Sequence, residues 1–420
     1  MRVFPRLSKS RLKLFGGSPE PAPSSGKPRV LFVSHEATRT GAPMIILNIL
    51  RHFSKNCDIQ CETILHNGGH IAGDFAKVSK VDCLNLPRKA GDDLKKRVQK
   101  VIQREKDNRP VLAICNSMES RFIAEEISQY DIPMLYLVHE LPSSYSEQDY
   151  ESVYQYADRV IFPAKAVRDA ANSKTRLPEG KSVIYPQGLL NEKFGTGIDR
   201  ESARAQIRKE LELPESSAVV LGCGTLDLRK GIDHFAAAAR ETIYQMGSDR
   251  PVHFVWLGEG PRWTHSPFHY VKLDLEKSGM THRVHFVGER ANVEPFFMGA
   301  DCFLMSSRVD PFPCVIHEAM AAGLPIIAFE RSGGAVEAIE GGAGVAIPYA
   351  DYKQVANTIR LLINQPEIAQ SMSRISQDRV RQKYCFASYS DQIIELAEQV
   401  SRTSMRKIAQ SQPNVERRAA

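Results

Sequence analysis

The sequence predicts an α/β protein of two doubly wound, mainly parallel-sheet domains facing each other. Short apolar runs such as RVLFVS, VLAICNS, RVIFPAK, AVVLGCG and DCFLMSS recur along the chain, which is how strands buried on both faces read. Helical patterns follow them, PMIILNILRHF after the first and IDHFAAAARETIYQM after AVVLGCG. The length of 420 residues exceeds one ordinary core and suits two domains of roughly 150 to 200 residues.

Composition narrows the function classes. A hydrophobic content of 42% with 25% charged residues describes a soluble globular protein. The eight cysteines are scattered, several inside apolar runs such as LAICNS and DCFLM, as expected of reduced thiols in a cytoplasmic protein. Cys57 and Cys61 come nearest to a metal spacing, but no second Cys/His pair follows, so no metal site is expected. The net charge of +6 is concentrated at the ends: residues 1–27 sum to +5, residues 401–420 to +4, and the body between them to −3. A basic nucleic-acid groove is thereby excluded, and no nucleic-acid partner is expected. The opening MRVFPRLSKSRLKLF mixes basic and apolar side chains. It fits either a peripheral contact with an anionic membrane surface or a solvated charged tail. No segment reaches the roughly 18 apolar residues that span a bilayer, and the apolar core and cleavage site of a secretory signal are missing.

Along the chain, residues 1–28 read as a basic tail and a linker, SPEPAPSSGKP, without packed structure. The first domain, 29–195, opens with RVLFVS. The polar loop His35 to Gly41 follows, and Pro43 suits the first turn of the next helix. Amides at Gly41 and Ala42, with the helix dipole, would favour an anion, although most such turns merely connect elements. CETILHN, DDLKKRVQKVIQREK, VLAICNS with SRFIAEEIS, PMLYLVHE, and RVIFPAK with AVRDAAN continue the alternation. His139 and Glu140 stand directly after MLYLV, where parallel-sheet ligand sites lie. A lone histidine is usually structural; here Glu140 is an acidic neighbour able to tune it.

VIYPQGLLNEKF reads as an extended connector and ESARAQIRKELELP as a helix stopped by proline, which puts the domain boundary near residues 188–200. The second domain, 196–385, begins its alternation at AVVLGCG. Its loop carries Arg229 and Lys230 just before Gly231 and a helix, either a diphosphate site or a solvated pair of cations. HFVWLGEGP, VHFVGER, VEPFFMGA and DCFLMSS lead to SSRVDPFPCVIHEAMAAGLPIIAFE. There Asp310 stands eight positions before Glu318, two carboxylates at a loop and helix start suited to a polar ligand. Gly333 and Gly334 can bring backbone amides close to it. A helix over 386–402 is expected to pack back on the first domain, and 403–420 form a second basic tail.

These motifs resemble the retaining nucleotide-sugar glycosyltransferases of family 4, whose GT-B fold sets two Rossmann-like domains face to face. The resemblance runs from about residue 29 to 400. It rests on Gly224 to Gly231, WLGEGP, VHFVGER and the E-x7-E-like DPFPCVIHEAMAAGLPIIA, with SHEATRTGAP, VHELP and VIYPQGLLNEKF as looser matches. Two positions depart from the family pattern: Thr225 replaces its arginine, a charge Arg229 can supply beside Lys230, and Asp310 replaces the first glutamate.

The resemblance implies that His139, Asp310 and Lys230 are catalytic. It implies a donor site of Gly41, Ala42, Arg229, Lys230, Gly258, Asp310, Phe312, Pro313, Cys314, Val315 and Glu318, with Glu318 on the ribose and Asp310 on the sugar. A nucleotide diphosphate sugar would be the substrate and a glycan or lipid-linked hydroxyl the acceptor, in cell-surface polysaccharide or glycolipid synthesis, with retention of configuration. No cofactor or metal is implied, and no Asp-x-Asp pair stands at a strand end to hold one. Two other readings of the same fold are a nucleotide-sugar epimerase and a catalytically silent binding scaffold. A hydrolase carboxylate pair is disfavoured, since Asp310 and Glu318 across a helix start need not converge on one anomeric carbon.

Overall fold

The computed structural model of the protein describes residues 26–87, 90–247, 251–261 and 263–406. The basic stretch assigned a possible membrane contact, and most of the second basic tail, lie outside these residues. Among the described residues, thirteen strands form two parallel sheets. The first contains β1 Arg29–Ser34, β2 Gln60–Leu65, β3 Lys80–Cys83, β4 Pro110–Asn116, β5 Met134–Leu137, β6 Arg159–Phe162 and β7 Ser182–Ile184, in the order β3-β2-β1-β4-β5-β6-β7. The second contains β8 Ala218–Cys223, β9 Val252–Leu257, β10 Val284–Gly288, β11 Cys302–Met305, β12 Ile326–Phe329 and β13 Gly344–Ile347, in the order β10-β9-β8-β11-β12-β13.

In each sheet the first strand lies centrally and the order reverses beside it. β1 pairs with β2 and β4, and β8 pairs with β9 and β11. Right-handed crossovers to either side of such a strand send helices to both faces, so the strands must be apolar along their length. β1, β9, β11 and β12 are buried at every residue. The reversal points leave a crevice at the carboxyl ends of β1 and β4, and another at β8 and β11.

The strands that the sequence does not predict are β3, β7 and β13. β3 and β7 lie at sheet edges and β13 at the opposite edge of the second sheet, and each is only partly buried. An edge strand needs few apolar residues, so KVDC and GVAI carry little period signal. Of the connector VIYPQGLLNEKF, only the start is strand. Beyond it Leu189 bridges Cys385, where the chain returns towards the first sheet. The returning helix Phe386–Ser401 buries Phe386, Tyr389, Ile393 and Ile394 in the same core as Ile45, Ile49 and Phe53 of the helix Gly41–Asn56. His52 and Asp391, 3.0 Å apart, join the two helices at the rim. Among the described residues, no helix is long and apolar enough to cross a membrane.

Candidate active site between the sheets

The loop after β8 is fixed by close backbone approach. Gly231 adopts a φ of 72°, and a Cβ there would lie 1.9 Å from the carbonyl oxygen of Ser306, so only glycine lets the loop seat against the end of β11. Arg308 secures the contact. Its amide donates to the Arg229 carbonyl, and its guanidinium grips the Asp233 carboxylate and the Leu228 carbonyl. Lys230 is thereby directed inward, its Nζ 2.6 Å from Asp310 Oδ2. Ser307 Oγ donates to the same oxygen at 3.2 Å.

Asp310 is held from behind as well. Its amide donates to the Ser332 carbonyl at 2.7 Å, and Gly333, at a φ of 135°, leaves no room for a Cβ beside the Asp310 carbonyl. Both side-chain bonds fall on Oδ2, and among the described residues none falls on Oδ1. The residue is 5% exposed, so a ligand meets one carboxylate oxygen of a neutralised pair rather than a free anion.

Two helix starts converge on this pair. Gly41–Asn56 has no side-chain cap and no acidic residue in its first turn, and the same holds for Cys314–Ala321. Their first amides are therefore unsatisfied donors at the positive ends of helix dipoles. They face each other across the domains: a Cβ on Gly41 would lie 3.9 Å from Cys314 Sγ. Between them is a cleft of about 250 Å³ lined by Gly41, Ala42, His139, Glu140, Arg229, Lys230, Asp310, Phe312, Pro313, Cys314 and Val315, together with Ile45, Pro163, Gln187 and Pro311. Arg229, the N–H donors of the paired Lys230 and two uncapped helix starts at one cleft supply donors and positive potential suited to a diphosphate.

His139, at the end of β5, is buried enough to stay neutral. Desolvation, with a smaller push from His35, lowers it to about 4. Glu140 does not tune the imidazole. Its carboxylate turns to the Ser117 hydroxyl and to the amides of Met118 and His139, so it shapes the backbone of the turn instead. The imidazole's partner is Asn116, at 2.8 Å.

Of the remaining expected contacts, Gly258 and Glu318 do not line the cleft. Gly258 serves packing: at a φ of 131° it lies against the Gly224 carbonyl, where a Cβ would come within 2.0 Å. Glu318 is one helical turn beyond Cys314, and burial pushes its carboxyl up to about 7. Among the described residues, no cation pairs with it. Among the described residues, no cluster of three or more His, Cys, Asp or Glu is arranged to hold a metal ion.

Two site residues were not singled out from sequence. Asn116 ends VLAICNS, so its place at a strand's carboxyl end was available as a signal. Gln187 was hidden in the connector. It is buried and donates to the Phe312 carbonyl of the opposite domain at 2.7 Å. A second interdomain contact flanks the cleft, where the Glu337 carboxylate accepts the amides of Ala166 at 2.6 Å and Lys165 at 3.0 Å.

Residues 217–365 match the family described as Glycosyl transferases group 1. An alpha-D-kanosaminyltransferase of Streptomyces kanamyceticus is 23% identical over 282 residues, covering 62% of this chain and 69% of that one. A lipopolysaccharide core biosynthesis glycosyltransferase, LpsE, of Rhizobium meliloti is 24% identical over 190 residues, covering 45% and 52%. The chain thus spans about two thirds of the first relative's length and about half that of the second. Among solved structures, HepE of Anabaena in complex with UDP and glucose superposes with a TM-score of 0.73 at 19% identity, over 87% of this chain and 98% of that one. At that identity the likeness establishes the fold.

Proposed function

From a chain with the GT-B fold, whose residues 217–365 form a Glycosyl transferases group 1 domain, we propose a retaining glycosyltransferase that takes its sugar from a nucleoside diphosphate sugar in the cleft around Lys230 and Asp310. The observation carrying this reading is the convergence of Lys230, Arg229 and the uncapped helix starts at Gly41 and Cys314 on one cleft between the carboxyl edges of two sheets. Charge of that kind is needed where a leaving diphosphate develops negative charge.

In this reading the diphosphate lies against Lys230, Arg229 and the two helix starts. Glu318 accepts ribose hydroxyls. The sugar lies between Asp310 and His139, with the amides of Phe312, Cys314 and Val315 nearby. As the anomeric bond breaks, the ammonium of Lys230 stabilises the departing oxygen. The acceptor hydroxyl attacks from the leaving-group face and passes its proton to a phosphate oxygen, which preserves configuration. Arg229, the Lys230 N–H donors and the two helix starts take the place of a metal in this reading, so transfer should persist in EDTA. A glycan or lipid-linked acceptor is favoured by the LpsE relative, which acts in lipopolysaccharide core biosynthesis. The protein would then work at the cytoplasmic side of a membrane.

The test is a screen of nucleoside diphosphate sugars by thermal shift, then transfer to a panel of glycan and glycolipid acceptors with and without EDTA. A donor that raises the melting midpoint and yields an α- or β-linked product of retained configuration is expected. Full transfer by both Lys230→Ala and Glu318→Ala would remove the assigned site. Production of an epimer or free sugar from donor alone would favour an epimerase.

A further inference from the structure

Asn116 ends β4 at the reversal point of the first sheet, and its side chain is completely buried. Both ends of its amide are engaged. Nδ2 lies 3.1 Å from the carbonyl oxygen of Ala42, in the first turn of the helix Gly41–Asn56. A carbonyl oxygen only accepts, so this bond orients the amide and turns Oδ1 towards His139 Nε2, 2.8 Å away. Oδ1 likewise only accepts, so the imidazole proton resides on Nε2. A neutral imidazole has one N–H, which leaves Nδ1 as a lone-pair acceptor. Nδ1 is buried and has no hydrogen-bond partner. The backbone at this point is equally fixed, with Ser117 at a φ of 73° and the Glu140 carboxylate tying it to the amides of Met118 and His139.

We propose that Asn116 is a positioning residue that holds His139 as the Nε2–H tautomer and so presents Nδ1 to the cleft as an acceptor for a ligand hydroxyl. The inference rests on the donor reading for the ligand's identity but not for the tautomer. Its consequence is polarity within the site. The Lys230 end accepts anions, whereas an unprotonated Nδ1 repels a phosphate oxygen and satisfies itself only with a group that carries a proton. A sugar hydroxyl fits there and the diphosphate does not. Because the same amide holds Ala42, the position of His139 is coupled to the helix start that lines the cleft.

The test uses the full chain labelled with ¹⁵N-histidine, read by long-range ¹H–¹⁵N correlation, with UDP and UDP-glucose as probes. The wild type should show His139 as a single Nε2–H tautomer. Asn116→Ala should populate both tautomers, while Asn116→Asp, which keeps an acceptor oxygen, should retain the first. UDP-glucose, and not UDP, should shift the Nδ1 signal. Where transfer from UDP-glucose is measurable, Asn116→Ala should lose roughly tenfold in kcat/KM, the equivalent of one hydrogen bond. A wild-type Nδ1–H tautomer, or an unchanged tautomer in folded Asn116→Ala, would overturn the assignment. If both probes raise the melting midpoint but Nδ1 stays still, its presentation to the sugar is overturned. If neither probe binds, the donor reading fails for uridine nucleotides, and the tautomer populations still decide the role of Asn116.

Discussion

Lys230 Nζ lies 2.6 Å from Asp310 Oδ2, joining the loop after β8 to the loop after β11 through two side chains that are largely out of solvent. Each carries the charge the other needs. The pair therefore combines a structural tie with half of the proposed donor site.

Removing the cation separates these roles. Lys230→Ala should lower donor affinity and transfer by roughly 10- to 100-fold. It should also cost about 2–4 kcal/mol of stability, because Asp310 is left buried without its partner. Lys230→Ala combined with Asp310→Asn should regain much of that stability in denaturant titrations while transfer stays low. Recovery of transfer in the double variant would mean that Lys230 acts only as a tie.

Glu318 gives the site a pH dependence whose sign follows from burial. Its carboxyl is raised to about 7 in the folded chain, above the value of roughly 4.3 expected when unfolded. The native state therefore binds the extra proton, and stability falls as pH rises from roughly 4.3 to about 7, by an amount on the order of 3–4 kcal/mol. Melting of the ligand-free protein between pH 5 and 8 should show this decline, and Glu318→Gln should flatten it. Ribose hydroxyls donate to the ionised form, so nucleotide affinity should rise over the same interval. An affinity independent of pH would detach Glu318 from the nucleotide.

Glu337 is expected to hold the domains together. Its carboxylate caps the helix Lys165–Lys174, which has no side-chain cap of its own. Arg379 in turn anchors Glu337 through the carbonyls of residues 337 and 338. Glu337→Gln removes the charge and one acceptor, a change of about 1–2 kcal/mol for a capped helix start. Faster amide exchange at Lys165 and Ala166 and a larger radius of gyration without ligand are expected. Unchanged exchange at both amides would exclude the latch.

The sequence by itself determined the alternation of strand and helix, the two-sheet architecture and the strand ends at which Gly41, His139, Lys230 and Asp310 are found. Those features are local: an apolar run long enough to be buried, a glycine where a loop must turn, a carboxylate at a helix start. Tertiary structure alone decided what those residues face. Lys230 is paired because Gly231 allows its loop onto Ser306, a contact 75 positions away in the chain. His139 takes its tautomer from Asn116 on the neighbouring strand rather than from the adjacent Glu140, since the side chain of Glu140 is drawn to the amides behind the turn. Gln187 and Glu337 acquire meaning only when the opposite domain is present. In Ser306 to Glu330, sequence marked Asp310 and Glu318 as two carboxylates of one motif. Packing made them different groups, the first neutralised by a lysine, the second raised to about 7 by burial without one.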